Sequence, residues 1–139
     1  MGLSSKRVKG YVIGPGADLS GADLSGADLT EADLARANLR GADLTRADLW
    51  GAKLFGADLT RADLLGAKMS SADLSDAKLV SVFLTNANLT RADLTNANLT
   101  RADLTNANLM GADLMGANLD DTVFNNTRMP DGGIKNPAT

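Results

Sequence analysis

The sequence predicts an all-β solenoid, and three observations carry that prediction. Leu, Met or Phe recurs every five residues from Leu19 to Phe124, giving 22 rungs without an insertion. Ala stands two residues before each rung, except at Val82 and Thr122. Between them is usually Asp or Asn, so the unit reads Ala-(Asp/Asn)-Leu-x-x. A unit this short can bury itself only against copies of itself, which is the logic of a stacked repeat.

A period of five fits neither common element. A helix would set successive rungs about 140° apart and smear them around its cylinder. One long strand would alternate them between faces. The pattern works if the chain turns a corner in every unit. The Ala and the rung then point inward, and the face residue between them and the two corner residues after the rung point outward. Four corners close a square coil of about 20 residues, and coils stack by parallel pairing at roughly 4.8 Å. Residues 17–126 hold 110 residues, or about five and a half coils of four pentapeptides, a rod roughly 26 Å long at that spacing.

The corners follow turn chemistry. A type II turn wants Gly or Asn at its third position, where φ is positive. The second corner residue is Gly at 21, 26, 41, 51, 56, 66, 111 and 116, and Asn at 86, 96, 106 and 126. Arg36, Arg46, Arg61, Arg91, Arg101, Glu31 and Asp76 tolerate positive φ poorly, so a different turn type is expected at those corners. Val82 in an Ala slot predicts a local widening of the wall or a displaced neighbour.

The expected organisation is an N-terminal cap segment at 1–16, the coil at 17–126, and a partial repeat and tail at 127–139. Tyr11, Val12 and Ile13, before Gly14-Pro15-Gly16, are expected to cover the first coil. Thr127 and Met129 make a partial last unit, and Pro130-Asp131-Gly132-Gly133 stops the coil. The last few residues are expected to be mobile.

The chain has no Cys and no His. That excludes disulfides and thiolate or imidazole metal ligation, fits a reducing compartment, and leads to an expected cytoplasmic location. No apolar run reaches the length of a membrane span, and the basic start at Lys6, Arg7 and Lys9 lacks the apolar stretch of a secretory signal. Met1-Gly2 is followed by Lys at position 6 rather than the hydroxyl residue of a myristoylation start.

The repeated Ala-(Asp/Asn)-Leu-x-x unit over 17–126 resembles the pentapeptide repeat family. The flanks GYVIGPGADLSGADL and TRMPDGGIKN are similar to those of bacterial members, cyanobacterial ones especially. The resemblance implies a right-handed quadrilateral β-helix. It also brings a functional analogy, since quinolone-resistance members bind DNA gyrase by imitating the acidic duplex. This chain departs from them: Leu holds nearly every rung, the ladder has no projecting loop, and no local gyrase-binding motif matches.

Function, if local, sits on the outward positions. The rod carries sixteen acidic and nine basic residues, a net −7, and the flanks raise the chain to −3. One face carries the acidic ladder Asp23, Asp43, Asp63 and Asp103, interrupted by Phe83. The opposite face carries Asp33, Lys53, Asp73, Asp93 and Asp113. Three readings of the Asp and Asn ladders compete: bonding to local backbone, mimicry of DNA, and cation binding. Calcium wants six to eight converging oxygens, about what a flat ladder does not offer. Arg91 and Arg101 are expected to pair with the nearby Asp93 and Asp103.

Exposed apolar residues mark possible partner contacts. These are Trp50, Phe55, Leu65 and Phe83, with Val80 near Phe83, and Met110 and Met115 in the columns of Trp50 and Phe55. An enzyme is not expected, because catalytic acid–base pairs need environments that split their pKa values and a solid core leaves no cleft. No cofactor or metal is expected. Direct nucleic-acid binding is not expected from an acidic rod, nor is a membrane. The sequence therefore points to a non-catalytic structural or protein-interaction rod with an unknown protein partner, a monomer or a homodimer through a coil end. The alternative is a DNA-mimic inhibitor or protector of a topoisomerase such as DNA gyrase.

Overall fold

The computed structural model describes residues 6–138; the Met1-Gly2 start lies outside them. The chain forms a four-sided coil, closed at both ends by a two-stranded antiparallel sheet. Face residues pair in parallel with the residue 20 positions on, from Asp18↔Asn38 to Asn108↔Arg128. This is the register the period of five demands.

Backbone accounting explains why the coil is stable. Each unit has five N–H groups. In the unit ending at Gly26, the rung Leu24 donates to Asp43 of the next coil at 2.7 Å, and Gly26 donates to Thr45 at 2.8 Å. In the coil above, the face residue Asp43 donates back to Ala22 at 2.9 Å, and Ala27 closes the corner onto Leu24 at 3.1 Å. Four of the five donors are thereby satisfied by backbone, as buried amides require. The fifth, on the first corner residue, belongs to the site described below.

The axis is a solid stack of Leu and Ala. Rungs from Leu24 to Leu109, with Met69 in a Leu slot, are fully buried. Val82 is accommodated without opening the core, but its corner bond to Leu79 lengthens to 3.3 Å. Thr122, the other exception in the Ala column, shows 3.2 Å to Leu119, whereas the Ala corners span 2.9–3.1 Å. Both residues are β-branched side chains in a slot shaped for a methyl, while the bonds from Val82's unit to its neighbouring coils keep 2.8–3.0 Å.

The corners correct one expectation. Every fifth residue from Gly16 to Asn126 has φ between 52° and 73°, including Glu31, Arg36, Arg46, Arg61, Asp76, Arg91 and Arg101. No different turn appears at the charged corners. The left-handed conformation costs about 1–2 kcal/mol for such residues. It is held because each donates its N–H to the next coil, as Arg36 does to Phe55 at 2.8 Å. A departure at one corner would break the stacking of two coils.

At the N-terminal end, β1 (Lys6–Val8) and β2 (Tyr11–Ile13) form a hairpin. Its two-residue turn, Lys9-Gly10, has positive φ at both positions, the backbone that matches strand twist in a tight hairpin. Ile13 is buried, and Val8 and Tyr11 pack on the core. Val12 stays 43% exposed, because alternate strand residues face opposite ways. At the other end, β3 (Thr127–Arg128) pairs with β4 (Ile134–Lys135). Arg128 also continues the parallel column of Asn108. Further on, the Asn136 side chain accepts the Asn126 N–H at 2.8 Å. Lys135 also lies 4.0 Å from the centroid of the Phe124 ring.

Candidate interaction surfaces

The face residue supplies the fifth acceptor of each unit. At all seventeen units from 18 to 118 with Asp or Asn on the face, Oδ1 accepts the N–H of the first corner residue, two positions on, at 2.9–3.2 Å. A Ser or Thr at that corner often adds its hydroxyl to the same oxygen, as Thr45 does to Asp43 at 2.6 Å. This is the side-chain turn that short polar residues favour. The alternation of Asp and Asn follows, since both offer the same oxygen. At Lys53, Lys68, Lys78 and Phe83 this acceptor is missing, and among the described residues the N–H groups of Phe55, Ser70, Val80 and Thr85 have no acceptor.

These bonds set the acidity of the carboxyls. The Ser20 hydroxyl, then its N–H, lowers Asp18 below its ordinary 3.8. Ser25 does the same for Asp23, aided by Lys9, and Thr30 for Asp28. At Asp58, partial burial pushes upward. The Thr60 hydroxyl and N–H and the Arg40 guanidinium outweigh it, and the carboxyl is lowered. Among the described residues no cluster of acids could hold a metal ion.

Ion pairing departs from expectation. Among the described residues the pairs are Lys9–Asp23 at 3.6 Å and Arg40–Asp58 at 3.1 Å. Arg91 and Arg101 do not pair with Asp93 and Asp103. The reason is visible at Arg91, whose Cγ lies 3.3 Å from where a Cβ on Gly111 would stand. The side chain runs along its own corner toward the next coil, away from the face. The same lean brings Arg36 over the ring of Phe55 at 5.3 Å.

The coil separates the apolar candidates. Trp50 and Phe55 occupy the two corners that flank the face of Lys53. Phe83 lies on the opposite face, in the column Asp23, Asp43, Asp63, Phe83, Asp103, Val123. Leu65 is on the corner after Asp63, beside that second face, and Val80 precedes Phe83 on its other side. The four candidates therefore form two pairs on opposite sides. Trp50 is 47% and Phe83 52% exposed, whereas Leu65 and the Arg36-covered Phe55 are half-buried. Met110 and Met115 are exposed in the columns of Trp50 and Phe55, three coils on.

The solid core does not exclude every concavity. A groove of about 530 Å³ lies between the N-terminal hairpin and the first coil, lined by Val12, Ile13, Pro15, Glu31 and Asp33 among others. It was not legible in the repeat, because it forms where the hairpin departs from it.

Comparison with known proteins agrees with the geometry. The family described as pentapeptide repeats matches residues 16–51, 51–86 and 87–126. A pentapeptide repeat protein (Rfr23) from the cyanobacterium Cyanothece 51142 is 41% identical, with 66% of this chain and 63% of that one covered and a TM-score of 0.63. The match thus spans less than two thirds of the Cyanothece protein. A second, alr5209 from Nostoc Pcc 7120, is 37% identical over 73% of this chain and 83% of that one, with a TM-score of 0.63. HetL, a pentapeptide repeat protein involved in heterocyst differentiation regulation in Nostoc, is 36% identical over 87% of this chain and 76% of that one, with a TM-score of 0.37. No curated protein matches. With its ladder in unbroken register and the family matched along nearly the whole rod, the chain belongs to the pentapeptide repeat family and has that family's right-handed quadrilateral β-helix.

Proposed function

We propose that this protein is a non-catalytic rod that presents its faces to a protein partner. The observation that carries this reading is the division of labour on the surface. Asp and Asn side chains are engaged in the corners, while Trp50 and Phe83 stay about half exposed with no structural task. Exposed aromatic side chains on a rigid scaffold suit partner contact, with little conformational entropy lost on binding. A cytoplasmic location goes with this reading, supported by the Cys-free sequence. So does a homodimer through a coil end, supported by Leu114, Ala117 and Leu119, which are only partly buried at the C-terminal end.

The acidic column Asp23, Asp43, Asp63 and Asp103 supports a second reading, DNA mimicry toward a topoisomerase such as gyrase. A supercoiling assay with purified protein separates the two. Inhibition that is lost when the four Asp residues become Asn, and that fades with salt, would replace the first reading with mimicry. No inhibition at micromolar protein favours the partner-binding rod.

A further inference from the structure

We infer that the face bearing Asp73, Asp93 and Asp113 is a docking strip for a cationic amphipathic helix lying along the rod axis. The inference rests on the protein-binding reading and narrows it to one face and one partner chemistry.

Three features converge there. First, the three carboxylates stand in one column on successive coils, roughly 4.8 Å apart. A helix rises about 5.4 Å per turn, so a helix parallel to the rod can set one cation against each carboxylate. Second, the turn bonds use only one oxygen of each group. Oδ1 of Asp73, Asp93 and Asp113 accepts the N–H of Ser75, Thr95 and Met115, and among the described residues their Oδ2 atoms make no bond. The carboxylates are thus oriented by the corner and retain an oxygen for a partner. Asp76 adds a fourth acid beside this stretch and Arg91 a single cation.

Third, the strip has apolar ends. Trp50 and the half-buried, Arg36-covered Phe55 flank the face at one end, Met110 and Met115 at the other. Met110 is 44% and Met115 73% exposed. Three coils separate the ends, roughly 14 Å, which is close to three helical turns, or about 16 Å. The flanking corner positions between them are small hydroxyl residues, Ser70, Thr90, Ser75 and Thr95. A helix with apolar side chains on its first and last turns matches this pattern if Lys or Arg on the turns between faces Asp73 and Asp93, and one further cation on the last turn faces Asp113, which lies level with Met110 and Met115. Lys53, level with Trp50 and Phe55, leaves the end cationic and gives the strip a polarity.

The opposite face offers a weaker match. Phe83 interrupts its column, and Arg61 and Arg101 stand on the corner beside it. Stacked carboxylates on the proposed strip repel one another modestly in water, and a row of cations relieves that repulsion.

Trp50 is the only tryptophan, so its emission reports on the strip. The probe is a synthetic helix of about 16 residues with Leu on the sides of its terminal turns and a row of Lys along one face, from the second turn to the last, titrated into the full chain. Its controls are a scrambled peptide of equal composition and a Glu-for-Lys peptide. Saturable binding of the patterned peptide is expected, with a shift in Trp50 emission. The Asp73→Asn/Asp93→Asn/Asp113→Asn protein should bind it about tenfold or more weakly, as for loss of several complementary charges. Asn keeps the corner bonds, as Asn88, Asn98 and Asn108 do, so this variant folds. The Asp23→Asn/Asp43→Asn/Asp63→Asn protein should bind like the wild type. No binding at millimolar peptide, equal binding of the scrambled peptide, or equal loss in both triple variants overturns the inference. Loss confined to the second triple moves the contact to the Phe83 face, which overturns the strip but leaves the binding rod standing.

Discussion

The guanidinium of Arg36 lies 5.3 Å from the centroid of the Phe55 ring, one coil away along the chain. It reaches there by leaning over Gly56, where an added Cβ would stand 3.4 Å from Arg36 Cγ. Gly56→Ala should therefore act mainly through its backbone, whose φ is +65°, and cost about 1–2 kcal/mol in urea unfolding. Arg36→Ala should cost about 0.5–1 kcal/mol from the lost cation–π contact. Because Arg36 itself holds a φ of 58°, Arg36→Gly should recover part of that loss.

Core substitutions should read out slot shape. Leu59→Ala at a fully buried rung should cost about 2–5 kcal/mol in chemical denaturation. Val82→Ala removes two buried methyl groups but relieves the 3.3 Å corner bond to Leu79. The two effects oppose, so the net change should stay within about 1 kcal/mol. Faster exchange of the residue 82 amide than of neighbouring Ala amides in the wild type, slowed in Val82→Ala, would check the strain.

The corner acceptors give a stabilising prediction. The Lys78 side chain offers no acceptor to the Val80 N–H, whereas Asn98, one coil on in the same column, accepts the Thr100 N–H at 3.0 Å. Lys78→Asn should raise stability by about 0.5–1.5 kcal/mol. Asp103→Ala should lower it by a similar amount, about 0.5–1.5 kcal/mol, because the Thr105 N–H and hydroxyl lose their acceptor. Asp103→Asn should be close to neutral. Thermal unfolding of the three variants tests the set.

Acid should destabilise the protein. Asp18, Asp23, Asp28 and Asp58 all have carboxyls lowered from 3.8 in the folded state. Their contribution is fully present above the unfolded value near 3.8 and is lost as pH falls through the lower folded values. Stability measured by denaturant should hold from neutral pH to about 5 and fall below about 4. Ser25→Ala should raise the Asp23 carboxyl toward its ordinary value in an NMR titration, since the Ser25 hydroxyl is its largest influence.

Much of this protein was legible in its sequence because the repeat is a local code. Leu every five residues with Ala two before it dictates what points inward, and a fixed period dictates a 20-residue stacking register. The Asp and Asn turns also follow from short-range chemistry, since donor and acceptor lie two residues apart. Tertiary structure decided what local propensity could not. Arg36 and Glu31 disfavour positive φ, yet adopt it because stacked coils on both sides require each corner to match. Arg91 and Arg101 do not pair with their sequence neighbours Asp93 and Asp103, and at Arg91 the side chain runs along the rod toward Gly111 instead. Trp50 and Phe83 lie on separate faces, and Met110 joins Trp50's strip across three coils. Those relationships depend on how the chain is wound around its axis, which brings residues 18, 19 or 20 positions apart into contact.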